Sequence, residues 1–347
     1  MKWAMPWPGA ALGQAAEAAG AGAFCSGEFV GHNAYMTATE MAQATTSAMV
    51  GPGIAYAFAR SPFIHAASVR QLNTVAPDRV FLGLGAGTAR MNSQWFGVDA
   101  TEPAARMSEL VGVIRAYLTA ENGSPIRHSG RFYDVNANIQ APVLGCIDVP
   151  ILIGAFNRHM IRTVGRTADG IIGHSLFTDR WWSEVVEPEL DRGSQQTGRD
   201  TRSLHRWGWL TVAVDDEDPT RAIADAKRQI AFYCSVKTYD ALFALHKWAD
   251  DVDKIRSAFY RHDPHIDNYV TDDMLWALAV CGDSSQAQQM LSARTRLPDI
   301  GFLAPPGFLV SARRRDRYAA ATIEFCSNYF QTKSEPIQVI SRTEALK

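Results

Sequence analysis

The sequence predicts an α/β protein built as a (β/α)₈ barrel with insertions, in which a ring of parallel strands is wrapped by helices. Three observations predict it. Eight short apolar runs have strand character, segments with helical spacing separate most of them, and 347 residues is a length that a single barrel of this kind fills. The expectation is one domain over residues 1–330, with insertions at about 120–148 and 235–297 and a frayed C-terminal tail over 331–347.

The elements follow in order. Lys2 to Met5 is the first strand run. The Ala/Gly-rich stretch from Ala10 to Ala23 is broken by Gln14 and Glu17 and has no basic leader, so it reads as a packed helix. Ala23 to Glu28, Met49 to Tyr56 and Arg79 to Leu84 are the next three runs. A helix then carries Met107, Leu110, Val111, Ile114 and Leu118 on one stripe, with Thr101 and Pro103 as its start signal. Between Ala120 and Asp148 the turn residues Ser129 and Gly130 predict a hairpin. Val149 to Gly154, Asp169 to Gly173 and Trp207 to Val214 continue the strands. Asp218 and Pro219 cap a helix whose buried face is expected to be Ile223, Ala226 and Ile230. The stretch from Ser235 to about Leu297 holds aromatic residues among charges and predicts extra helices. Asp299 to Leu303 is the eighth run.

Composition narrows the function. Hydrophobic residues at 47% and charged residues at 20% are enough for a large core. With 34 Lys and Arg against 36 Asp and Glu, the net charge of -2 offers no field for nucleic acid or an anionic membrane, so a small molecule is the expected partner. The five cysteines are scattered, contain no Cys-x-x-Cys pair and read as reduced thiols of a cytoplasmic protein. The metalloprotease His-Glu-x-x-His, clustered cysteine ligands and Gly-x-Ser-x-Gly are missing from the sequence, so no metal site and no serine hydrolase is expected.

The chemistry-bearing residues lie just after the strand runs. Gly83-Leu84-Gly85-Ala86-Gly87 is not a dinucleotide fingerprint, because Thr88 holds the third glycine position and the run follows the fourth strand. Before it come Gly51-Pro52-Gly53-Ile54-Ala55-Tyr56-Ala57-Phe58-Ala59-Arg60-Ser61-Pro62. After it come Pro150-Ile151-Leu152-Ile153-Gly154-Ala155-Phe156-Asn157, Met160 and Ala168-Asp169-Gly170. These three blocks, in this order, resemble the bacterial-luciferase-like family of flavin and deazaflavin oxidoreductases, in particular its coenzyme F420-dependent branch.

The resemblance implies a luciferase-like barrel, a homodimer, and hydride transfer between F420 and a small carbonyl, imine or activated alkene. It leaves open an FMN-dependent monooxygenase, and a deazaflavin- or flavin-binding protein without turnover. It implies cofactor contacts at Glu28, Phe29, Gly53, Ile54, Ala55, Gly85, Ala86, Gly87, Thr88, Gly154, Ala155, Phe156, Asn157, His174 and Ser175, and a non-prolyl cis peptide at Gly53-Ile54. Family members commonly place a histidine after the acid that ends the second strand, where this chain has Phe29. Glu28, or His32 three residues beyond Phe29, is then the expected proton-handling residue; Glu28 could instead pair with an arginine, and His32 could be a solvated loop group. Arg79 and the Arg106/Glu109 pair match family positions and read as structural.

Overall fold

The computed structural model describes residues 1–139 and 145–330. The expected tail, and part of the first insertion, lie outside the described residues. In chain order the elements are β1 (Lys2–Pro6), α1 (Ala10–Ala18), β2 (Ala23–Ser26), α2 (Ala34–Ala44), β3 (Met49–Pro52), β4 (Ala55–Tyr56), α3 (Pro62–Val75), β5 (Leu82–Gly85), α4 (Pro103–Leu118), β6 (Pro125–Ser129), β7 (Asp134–Asn138), β8 (Ile151–Gly154), α5 (Arg158–Thr167) and β9 (Gly170–Gly173). They continue with α6 (Asp179–Trp181), α7 (Glu187–Gln195), β10 (His205–Val214), α8 (Pro219–Cys234), α9 (Asp240–Leu245), α10 (Ala249–Tyr260), α11 (Asp272–Leu278), β11 (Ala279–Gly282), α12 (Ser284–Ser292), β12 (Ile300–Ala304) and α13 (Ala312–Phe330). The elements form two compact units, one of residues 22–172 and 188–207, the other of residues 1–21, 173–187 and 208–330.

The first unit is a run of parallel strands. β2 pairs with β3, β4 with β5, β5 with β8 and β8 with β9. β2, β3, β5 and β9 are buried along their whole length, the signature of strands covered on both faces. Register sets Ser26 beside Pro52, Tyr56 beside Gly85, and Gly85 beside Gly154, so these residues form one level at the C-terminal ends of the strands. The Met49 to Tyr56 run is broken into two strands at Gly53 and Ile54, because both amides turn to the carbonyl of Ser26 at 2.8 and 3.1 Å. Arg79 donates to the carbonyls of Ala42, Thr45 and Ala48, closing the C-terminal end of α2, which is the structural role read for it.

α4 buries its whole expected stripe. It starts at Pro103 after Glu102, whereas Thr101 lies outside the helix and bonds to Asp99. The Arg106/Glu109 ion pair is not formed. Glu109 instead accepts the amides of Phe132 and Tyr133 and the ring of His128, pinning the β6–β7 hairpin to α4, while Arg106 lies over the rings of Phe58 and Phe132. A carboxylate meeting three hairpin groups outcompetes one i,i+3 partner.

In the second unit β1 pairs in parallel with β12, and β10 with β11. β11 falls inside the stretch expected to be helical only. Asp218 caps α8 as read, accepting the Arg221 amide at 3.1 Å, but the buried face is turned by one residue. Ala222, Asp225, Ala226, Gln229 and Ile230 point inward, and Ile223 is half-buried. The buried Asp225 carboxylate makes this possible by accepting from Arg314 and Tyr318 at 2.7 and 2.8 Å, with Arg228 beside it. Among the described residues no helix is long and apolar enough to cross a membrane.

Candidate functional site

The site of the first unit is built on the level formed by Ser26, Pro52, Tyr56, Gly85 and Gly154. The Gly53–Ile54 peptide is trans, as is every peptide bond among the described residues, so the expected cis bond is not there. The two amides already reach the Ser26 carbonyl in the trans form, and a cis bond would cost about 3 kcal/mol without a further hydrogen bond to gain. The side chain of Ile54 then fills the bare faces of two glycines. A Cβ on Gly85 would come to 2.6 Å from Ile54 Cγ2, and one on Gly154 to 2.4 Å from Ile54 Cδ1. Gly85 is therefore bare to admit Ile54, where the sequence predicts a ligand against it.

The loop after β5 is held by one buried amide. Asn92 Nδ2 donates to the carbonyls of Ala86 and Thr88 at 2.9 and 3.0 Å, and Thr88 Oγ1 accepts the Met91 amide. Gly87 between them has φ 67°, a conformation that costs a side chain strain. After β8, Ala155 and Phe156 lead to Asn157, whose side chain caps α5 by accepting the Met160 amide at 2.9 Å. Arg158 and His159 open α5, and first-turn amides have no partner within a helix, which makes such an end favourable for an anion.

Glu28 is the most heavily bonded side chain of the site. Its Oε2 accepts from Tyr56 N at 2.9 Å and Arg60 Nη1 at 2.8 Å, and its Oε1 accepts from Arg60 Nη2 and, at 3.5 Å, from Ala34 N. Burial would raise the Glu28 pKa, but the bonds from Arg60, Tyr56 and Ala34 outweigh it and hold the carboxyl below its ordinary value. Of the two readings open for Glu28, the structure thus forms the arginine pair. Behind it the Arg60 guanidinium lies over the Tyr35 ring, 5.4 Å from its centroid. Tyr35 Oη is 2.6 Å from His65 Nδ1, and His65 Nε2 is 3.1 Å from the Ala57 carbonyl. A carbonyl can only accept, so Nε2 carries the proton and Nδ1 accepts from the tyrosine. Burial pushes the His65 pKa down to about 4, leaving the ring neutral.

In front of the Glu28–Arg60 pair lies a cleft of about 370 Å³, walled by Phe29, Val30, Tyr56, Ala59, Trp95 and Phe96. The structure thus brings Glu28 and Phe29 to a cavity, and Ile54, Gly85 and Gly154 into mutual contact. His32 is exposed and outside the cleft lining; its backbone closes a tight turn with Phe29 through two bonds of 3.1 Å. His174 and Ser175 belong to the second unit. There His174 Nε2 is 3.1 Å from Tyr239 Oη, Nδ1 accepts the Leu176 amide, and burial pushes its pKa down to about 3, so it offers no positive charge to an anion. Tyr56, Arg60, Asn92, Trp95 and Phe96 are site residues that sequence reasoning does not single out. The one available signal is the adjacent Trp95-Phe96 pair in a segment without strand or helix periodicity.

The luciferase-like monooxygenase family model matches residues 9–298. A relative in Mycobacterium tuberculosis, an uncharacterised protein, is 31% identical over 258 residues, which cover 72% of this chain and 76% of that one. The structure of coenzyme F420 dependent tetrahydromethanopterin reductase from Methanopyrus kandleri matches with a TM-score of 0.75 at 20% identity, over 93% of this chain and 97% of that chain. The FMN complex of the oxygenating constituent of 3,6-diketocamphane monooxygenase from Pseudomonas putida matches with a TM-score of 0.64 at 13% identity, over 95% and 98%. These two likenesses establish the fold, the luciferase-like (β/α)₈ barrel read from the sequence. The chain belongs to the luciferase-like monooxygenase family, whose members are oxidoreductases.

Proposed function

We propose that this protein transfers a hydride between a deazaflavin of the F420 type and a small organic substrate, a carbonyl, an imine or an activated alkene. The observation that carries the reading is the floor of the site. Ile54 is seated between the bare faces of Gly85 and Gly154 on one level of parallel strand ends, and Tyr56, which pairs with Gly85 at that level, lines an open cleft. An apolar side chain packed against two glycines at the strand ends suits one face of a planar ring, and strand C-terminal ends are where barrels bind ligands. Ile54, the Gly85 to Thr88 loop and the Gly154 to Asn157 turn would hold the cofactor, with its phosphate drawn to the Arg158 and His159 amides. When bound, a deazaflavin supplies hydride transfer with little oxygen activation.

The chain's own residues bind, orient and exclude water. Glu28 stays ionised at neutral pH and acts as a positioning group, fixing the Tyr56 backbone and Arg60 at the cleft wall. Phe29, Val30 and Trp95 give the cleft an apolar mouth. The choice of deazaflavin over FMN is supported by the three sequence blocks and by the name of the Methanopyrus kandleri structure.

Titration of the purified protein with F420 and with FMN, followed by cofactor fluorescence, tests the choice. The deazaflavin is expected to bind at least about tenfold more tightly, a difference of about 1.4 kcal/mol. Tighter FMN binding reverses the assignment, and tight F420 binding without turnover by any acceptor leaves a binding protein. Gly87→Val forces a β-branched residue to positive φ at a cost of about 1–3 kcal/mol, so the loop should leave its conformation and F420 binding fall by about tenfold or more. Unchanged affinity in that variant would remove the loop from the cofactor site.

A further inference from the structure

Resting on that reading, we propose that the cleft selects an uncharged, mostly apolar substrate, gripped by the Phe29 and Trp95 rings and oriented by one hydrogen bond from the Tyr56 hydroxyl to a carbonyl-type oxygen. Two separate segments, the loop after β2 and the one after β5, bring large apolar side chains to the same cleft and leave them in water. Val30 is 88% exposed, Phe29 54% and Trp95 51%, and the Phe29 and Trp95 rings meet edge to face at 5.8 Å. Single exposed apolar residues are common, but a cluster of them rimming a concavity marks a place where an apolar ligand is taken out of water. A cleft of about 370 Å³ lies at the small-molecule end of ligand pockets.

Charge decides the class further. The charged groups in the cleft wall are Glu28 and Arg60, and they are joined by two parallel bonds. Glu28 accepts two backbone amides besides. A carboxylate substrate would have to share Arg60 with Glu28, setting two anions against one cation in a largely buried wall, and a cationic substrate would have to compete with Arg60 for Glu28. Both are disfavoured, whereas a neutral molecule leaves the pair intact.

The wall leaves two neutral donors for the ligand, the Trp95 indole N–H and the Tyr56 hydroxyl, and the substrate oxygen is assigned to the hydroxyl, whose residue is fixed on two sides. The Tyr56 hydroxyl has no hydrogen-bond partner among the described residues, while the rest of the residue is fixed by the Glu28 bond to its amide and by the Phe96 ring 4.9 Å away. Burial and the nearby Glu28 charge raise its pKa, so the phenol keeps its proton and donates. A substrate oxygen buried in this cleft needs such a donor, since an unsatisfied carbonyl in an apolar site is costly.

The test uses three probes of one shape, measured by calorimetry on the full chain: benzylacetone, a neutral ketone; hydrocinnamate, its carboxylate counterpart; and butylbenzene, which has no oxygen. Benzylacetone is expected to bind at least about tenfold more tightly than hydrocinnamate. Tyr56→Phe should weaken benzylacetone about tenfold and leave butylbenzene unchanged, a split that loss of packing alone cannot produce. Should Tyr56→Phe fail to fold, Val30→Asp on the exposed rim carries the test, with an expected loss of about tenfold in binding of both neutral probes. Tighter hydrocinnamate, no binding of any probe, benzylacetone unaffected by Tyr56→Phe, or neutral probes unaffected by Val30→Asp each overturns the proposal. The F420 titration on the same samples separates the two readings. F420 binding with no preference for the ketone sinks this inference alone, and ketone preference without F420 binding sinks the cofactor alone.

Discussion

Gly83→Ala is expected to destabilise the fold by about 3 kcal/mol and to weaken cofactor binding with it. A Cβ on Gly83 would lie 2.3 Å from the Gly53 carbonyl oxygen and 2.5 Å from that of Pro52, and both are backbone. A side chain can rotate away from an added methyl group, but these carbonyls cannot move without shifting Ile54, which they immediately precede in the chain. The loss therefore appears in two measurements, the urea midpoint and the F420 titration. Gly112→Ala is the control. Gly112 lies within α4 with open space where its Cβ would go, so this change should be neutral or stabilise by about 0.5–1 kcal/mol. Equal midpoints for the two variants would refute the close approach at Gly83.

Arg60→Leu is expected to cost about 3 kcal/mol, because it leaves Glu28 with only backbone partners in a site where its side chain is 8% exposed. Adding Glu28→Gln to that variant should recover part of the loss, since the uncompensated charge is then gone. The pH dependence has a definite sign. The Glu28 carboxyl is held below the unfolded value of 4.5, so its contribution is fully present above that value and is lost as the pH falls through the lower, folded one. Urea midpoints of the parent and of Glu28→Gln should differ by a constant amount at neutral pH and converge in acid. A gap that widens in acid would mean that the carboxyl is held in its protonated form.

Much of this organisation is legible in the sequence. Asp218-Pro219 caps its helix, Ser129-Gly130 turns its hairpin, and the glycine run ends its strand, because each depends on neighbours within a few residues. What is not legible depends on distant partners. β11 is hidden because Leu275 to Cys281 is one apolar stretch in which α11 passes into a strand with no turn residue between, and periodicity cannot divide such a run. The α8 face differs by one position from the expected one because Asp225 is buried by Arg314 and Tyr318, about ninety residues away. In the site, Glu28 and Arg60 are 32 residues apart, so the sequence offers two readings and only the fold brings the pair together. The role of Gly85 escapes the sequence for the same reason, since glycine chemistry alone does not say whether Ile54 or a ligand fills the space.

The relay from Glu28 through Arg60 and Tyr35 to His65 makes this corner electrically silent across the range in which most enzymes are assayed. Glu28 ionises below 4.5, His65 gains its proton only near pH 4, and the Arg60 and Tyr35 values are both raised above their already high ordinary ones. No member of the relay changes charge between roughly pH 5 and 9. The frame around the cleft therefore works as a constant background, and a rise or fall of turnover within that interval reports on the substrate, the cofactor or another residue.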